Sequence, residues 1–155
     1  MQESSTLTVG SSFYSLHHHL VFSTKERRPF IKSDWRARLH EYLGGEVRGL
    51  GGVAEIVGGV DDHVHLLLSL RTSVAPADFV REIKKASSNW AADKYDPLFG
   101  WQEGYGIFSV SWTHGNSLRR YIADQERHHR KTRFIDEYRR LLARNGVVYD
   151  PAWLE

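Results

Sequence analysis

The chain has 155 residues, 41% hydrophobic and 26% charged, with a formal net charge of +2 and no cysteine. That balance describes one soluble globular domain and excludes a disordered chain, a disulfide framework and a thiolate zinc site; no apolar run approaches the ~20 residues that a membrane span needs. The charge is uneven: residues 117–144 hold nine Lys/Arg against four acids, a net +5, which suits a polyanionic partner such as nucleic acid, although a solvated helix face has the same composition.

Residues 1–12 are small and polar, without the basic start and apolar stretch of a secretory signal, and read as a disordered tail before one domain over 13–155. Phe13 to Ser23 alternates as a strand, with Leu20 and Phe22 on one face and His17, His19 and Val21 on the other. Lys25-Glu26-Arg27-Arg28-Pro29 makes a basic loop. A helix capped by Ser33 follows, carrying Trp35, Leu39, Tyr42, Leu43 and Val47 at helical spacing and ending near Gly49. Val53 to Val57 is a second strand, and Gly58-Gly59 with Asp61-Asp62 turns it into a third over Val60 to Leu70.

Pro76 opens a helix with Phe79, Ile83, Ala86 and Trp90 on one side. Tyr95 to Gly104 is a loop, and Ile107 to Trp112 a fourth strand with Phe108, Val110 and Trp112 on its apolar face. Gly115-Asn116-Ser117 caps a helix over Leu118, Tyr121, Ile122 and Gln125. A last helix carries Phe134, Ile135, Tyr138, Leu141 and Leu142 and stops at Asn145-Gly146. The βαββαβ order predicts an α+β, ferredoxin-like domain: an antiparallel sheet with helices on one face, plus two C-terminal helices. Strands one and three then lie in the centre, and His17, His19, His63 and His65 share one open face.

The third strand carries the chemistry. Val64, Leu66, Leu68 and Leu70 form an apolar face, while His63 and His65 stand on the other, about 7 Å apart along the strand. Two such imidazoles can converge on one metal ion, although a buried, hydrogen-bonded pair has the same sequence. Tyr121 and Gln125, one helical turn apart, point the same way and offer a nucleophile and a third ligand. A mixed nitrogen and oxygen site of this kind suits Mn²⁺ or Mg²⁺. Such a metal polarises a phosphodiester, and a phenol oxygen in line with it can form a phosphotyrosine.

The segments Tyr14-Ser15-Leu16-His17-His18-His19-Leu20-Val21-Phe22-Ser23-Thr24-Lys25, Asp62-His63-Val64-His65-Leu66, Trp101 to Val110, Tyr121-Ile122-Ala123-Asp124-Gln125 and His128-His129-Arg130-Lys131 resemble the single-tyrosine HUH transposases of small bacterial insertion sequences, the IS-200/IS-605 type. The resemblance implies a metal-dependent transesterase that cuts single-stranded DNA at the foot of a hairpin, keeps a 5′ phosphotyrosine and releases a 3′ hydroxyl that can rejoin. It implies Tyr121 as nucleophile, His63, His65 and Gln125 as ligands of Mg²⁺ or Mn²⁺, a homodimer, and a bacterial cytoplasmic protein acting on nucleoid DNA.

Lys25, Arg27, Arg28, Lys84, Lys85, Arg119 and Arg120 are candidate phosphate contacts. His17 and His19 are candidate auxiliaries to the site or a structural pair. Trp90, Trp101 and Trp112 can stack bases, but Trp90 and Trp112 lie on apolar faces and suit the core better. His128, one turn beyond Gln125, can approach the metal, although a place in solvent or against DNA suits it better. Two other functions fit the same residues: a domesticated relative acting on chromosomal palindromic repeats, and a non-enzymatic module that binds single-stranded or hairpin DNA.

Overall fold

The computed structural model describes residues 10–154. Most of the predicted N-terminal tail, residues 1–9, lies outside the described residues; residues 10–12 are exposed and irregular. The elements run β1 (His17–Ser23), α1 (Arg36–Gly49), β2 (Val53–Val60), β3 (His63–Ser69), α2 (Pro76–Lys94), β4 (Gly106–Val110), α3 (Gly115–Ala123), α4 (Gln125–His128) and α5 (Phe134–Arg144). The sheet order is β2-β3-β1-β4 with every neighbouring pair antiparallel. This is the α+β, ferredoxin-like arrangement, with β1 and β3 in the middle as the order of elements predicts.

Register decides which side chains share a face. Val21 lies opposite His65, Ser23 opposite His63 and His19 opposite Leu67, so the histidines of both central strands project to the same side. Leu20, Phe22, Val64, Leu66 and Leu68 project to the other, where they meet Leu39, Leu43 and Val47 of α1 and Phe79 and Ile83 of α2 in the main core. Each such large side chain, when fully buried, contributes about 1.5–3 kcal/mol.

The histidine face is covered rather than open, which corrects the expectation from the order of elements. Phe134, Leu141 and Leu142 recur on one side of α5 and close over Val21 and Phe108, forming a second, smaller core. The 3.6-residue period gives α5 an apolar stripe that water does not stabilise, and the sheet offers matching apolar ground beside the histidines.

Other departures have local causes. β1 starts at His17, not Phe13, and Phe13 is exposed. β2 runs on through Gly58 and Gly59 to Val60, leaving only Asp61-Asp62 as the turn. Gly59 has φ +149, and a Cβ there would stand 2.2 Å from the His63 carbonyl oxygen, so only glycine closes this hairpin. Ser33 does not cap α1; Trp35 holds that position without a side-chain bond. β4 ends at Val110, where its partner β1 begins. Trp112 therefore leaves the sheet in a 3-10 turn, 63% exposed and not in the core. Trp90 stacks on Tyr42 and packs against the main core. Trp101 meets Phe22 edge-on and donates its Nε1–H to Ser87, so it is a packing residue here.

Candidate metal and tyrosine site

β3 brings His63 and His65 to one point because strand neighbours two apart share a face, and both rings are fully buried. The backbone turn at Asp124 separates α3 from α4, in place of the single helix that the spacing predicts. Tyr121 and Gln125 nevertheless both reach the histidines. Gln125 Oε1 faces His63 Nε2 at 2.9 Å, and the Tyr121 ring packs edge-on to His65.

α5 then adds Glu137, which neither the spacing nor the resemblance singles out. His65 Nε2–H donates to Glu137 Oε1 at 2.9 Å and Gln125 Nε2–H to Oε2 at 3.1 Å. The Tyr121 hydroxyl also donates to Oε2. His129 joins from the α4–α5 connector: Nδ1–H donates to the Thr132 carbonyl at 2.6 Å and Nε2–H to Glu137 Oε1 at 3.1 Å. His128, expected to face solvent or DNA, is partly buried, with Nε2 at 3.3 Å from Glu137 Oε2. It makes no aligned hydrogen bond there.

A second layer orients the rings. His63 Nδ1–H donates to Asp62 at 2.7 Å, and His19 Nε2 lies 2.7 Å from His65 Nδ1. A carboxylate only accepts, so His65 carries its proton on Nε2 and its Nδ1 accepts from His19. His19 is thus part of the site as a ring-orienting partner. His17 is not; it lies 3.8 Å from Glu55 and packs on Trp112.

The charges follow from burial and these bonds. Burial lowers His65 to about 4, against its Glu137 hydrogen bond. Burial, then the charge of His65, lowers His19 to about 3; both are neutral near pH 7. Burial opposes charge on His129, but Glu137 and the Thr132 carbonyl outweigh it and its pKa is raised. Burial would raise Glu137, yet donors from His129, His65 and Tyr121 hold it well below the usual carboxylate range. Burial, then the bond to Glu137, raises the Tyr121 phenol above its ordinary value.

The donors fit a divalent cation. Ligand atoms of His63, His65, His129 and Glu137 all lie within 4.8 Å of one another. Two ligands about 2.1 Å from one ion at right angles stand about 3 Å apart. Pairs here are separated by 2.9 Å (His65–Glu137 and His63–Gln125), 3.1 Å (His129–Glu137) and 3.5 Å (His63–Glu137). With its Nδ1 committed to Asp62, His63 turns Nε2 toward the Gln125 carbonyl oxygen. Only a cation, a proton or a metal ion, makes that approach favourable. The buried group His63, His65, His129 and Glu137 can therefore hold a metal.

Glu137→Gln tests this balance. An amide cannot accept from His65, His129, Gln125 and Tyr121 together, and unpairing a buried charged network costs about 3 kcal/mol. The urea midpoint of the metal-free protein should fall accordingly. The rise in melting temperature on adding Mn²⁺ should shrink as well.

With this geometry in view, the kinship is clear. Residues 12–125 match the family described as transposase IS200 like, and the chain belongs to that family. The ISDra2 transposase TnpA of Deinococcus radiodurans is 31% identical over 120 residues, spanning 72% of this chain and 85% of that protein. A solved protein of D. radiodurans R1 described as a transposase superposes with a TM-score of 0.62 at 23% identity, over 77% of this chain and 98% of that one. A REP-associated tyrosine transposase bound to a REP hairpin superposes with a TM-score of 0.58 at 15% identity, over 79% of this chain and 74% of that one. These two structures share the fold.

The family match ends at residue 125, so Glu137 and His129 lie beyond it. The sequence holds one signal for Glu137: a carboxylate three residues after Phe134 and four before Leu141, inside the apolar stripe of a helix.

The expected phosphate contacts divide. Lys84 is half-buried and donates to the Gln102 and Gly104 carbonyls at 2.7 and 2.6 Å, and burial lowers it to about 8. It and Lys85 belong to α2, on the sheet face opposite the site. Arg119 is 3.4 Å from Glu55 and Arg28 2.7 Å from Glu26. Lys25, Arg27 and Arg120 are exposed.

Proposed function

We propose that this transposase cleaves and rejoins single-stranded DNA at hairpin-flanked sites, with Tyr121 as nucleophile and Mg²⁺ or Mn²⁺ held by His63, His65 and Gln125. One observation carries the reading: the phenol at the donor cluster shares a carboxylate with the candidate ligands. A divalent ion bound there would draw charge from the phosphodiester and steady the departing 3′ oxygen.

The residues of the chain do the rest. Asp62 and His19 fix the ring orientations of His63 and His65, so the inward nitrogens stay aimed at one point. Glu137 holds the Tyr121 hydroxyl beside that point. Attack by the tyrosine oxygen on phosphorus forms a 5′ phosphotyrosine, breaks the bond to the 3′ oxygen and frees a 3′ hydroxyl. The reverse attack rejoins DNA without hydrolysis. Because His63 and His65 are fully buried, a phosphodiester reaches them only when part of their side-chain cover gives way.

A homodimer is part of this proposal, since β2 and β4 end the sheet with edges free to pair among the described residues. So are a single catalytic domain over 13–155 and a cytoplasmic setting; no described helix is long and apolar enough to cross a membrane. A second reading, a domesticated enzyme acting on chromosomal palindromes, draws support from the fold shared with the REP-associated transposase. The hairpin partner is proposed on the same likeness.

Protein mixed with Mn²⁺ and an end-labelled hairpin oligonucleotide carrying a single-stranded flank should give an adduct that survives detergent, and chelation should prevent it. Hairpin binding without cleavage under these conditions would instead establish a non-enzymatic binding module.

A further inference from the structure

A cavity of about 620 Å³ opens beside the site, lined among others by Arg27, Arg36, Asp62, His129, Arg130 and Phe134. Its size falls in the range of about 300–1,000 Å³ typical of ligand pockets. It adjoins the metal cluster through three shared residues. Asp62 orients His63, His129 binds Glu137, and Phe134 stacks on the His63 ring with centroids 4.4 Å apart.

Its cations are unequally neutralised. Arg36 is committed to Asp61 and Glu126 at 3.1 and 2.9 Å. Arg130 meets no carboxylate within 4 Å among the described residues, and the Arg27 guanidinium donates to the Leu154 carbonyl, at 2.8 Å. Both residues are exposed and line the cavity, Arg27 on the loop after β1 and Arg130 on the α4–α5 connector.

The loop that presents Arg27 is also strained. Glu26 and Arg27 adopt φ of +56 and +53, a left-handed conformation that non-glycine residues seldom take. It is held by bonds from Glu26 N–H to Gln102 and from Arg27 N–H to the Thr24 carbonyl. Strain retained in this way is characteristic of segments that grip a ligand.

We propose that this cavity is a subsite for the single-stranded nucleotide next to the cleaved phosphodiester, with Arg27 and Arg130 as its phosphate contacts. The inference rests on the single-strand reading above and adds where the strand runs: from the metal cluster, past Asp62 and His129, between the β1 loop and the connector. Arginine suits the task because its planar fork meets two phosphate oxygens at once. Phe134 offers an apolar wall on the side nearest the reacting centre.

The test is fluorescence anisotropy of a fluorescein-labelled single-stranded oligodeoxynucleotide against NaCl concentration, with chelator present to prevent cleavage. Replacing both arginines (Arg27→Gln with Arg130→Gln) should weaken binding about tenfold and flatten the log K against log salt slope by about 1.4, the loss of two single-strand phosphate contacts. Arg38→Gln with Arg48→Gln removes the same charge from exposed positions of α1 and should leave the slope nearly unchanged. An unchanged slope in the first pair overturns the subsite. So does an equal change in the control pair, which would make the effect a diffuse field, or an equal loss on a blunt duplex hairpin. Adduct formation is scored separately: absence of an adduct from wild-type protein defeats the catalytic reading and leaves the binding result standing.

Discussion

Tyr121→Phe is expected to yield no detergent-stable protein–DNA adduct, a loss of at least about 10⁴-fold in cleavage, while the protein stays folded. Loss of a nucleophile removes the covalent route altogether, and background catalysis from binding and electrostatics alone is far slower. The structure shows why stability should survive. Glu137 retains donors from His65, His129 and Gln125 when the phenol is gone, so the change forfeits one hydrogen bond, about 1 kcal/mol. The measurement is a gel of labelled hairpin DNA beside a urea denaturation curve. An adduct formed by the phenylalanine variant would show that another side chain attacks, and His63, His65 and Gln125 would then need a different partner.

What the residues disclose, and what they do not, divides along physical lines. The period of two through Val64, Leu66, Leu68 and Leu70 announces a buried strand face, and the same alternation puts His63 and His65 together on the other. The one-turn spacing of Tyr121 and Gln125 brings both to the same cluster even though the helix breaks between them. Periodicity says that a face is apolar and leaves its cover unnamed. The stripe on α5 is visible in the sequence, but its folding over the histidines depends on Val21 and Phe108 standing beside them. Glu137 is hidden for the same reason, since its role arises only when that helix is docked. Trp112 is misplaced by alternation because the pattern continues past Val110 while the partner strand does not. A strand ends where its hydrogen-bonding neighbour ends, and that is a property of two segments.

Gly58→Ala should impair cleavage far more than folding. Gly58 pairs with His65 across β2 and β3, and a Cβ there would lie 2.4 Å from the Ile122 carbonyl oxygen and 2.8 Å from Ile122 Cγ2. The close neighbour is helix backbone, which cannot rotate away as a side chain would. α3 must therefore lift from the sheet by about an ångström, at about 1–3 kcal/mol for an overpacked site. Tyr121 precedes Ile122 on that helix and moves with it, and a misplacement of about 1 Å costs about a hundredfold in rate. Cleavage should thus fall by about two orders of magnitude, far beyond the effect on folding at temperatures where the variant is native. Gly115→Ala supplies the contrast. It lies on the same helix with nothing within 4 Å of the added atom, and it should leave cleavage unchanged and stability equal or slightly higher. If Gly58→Ala cleaved at the wild-type rate, the close seat of α3 on β2 would have no part in aiming the tyrosine, and the approach of helix to strand at this glycine would be packing alone.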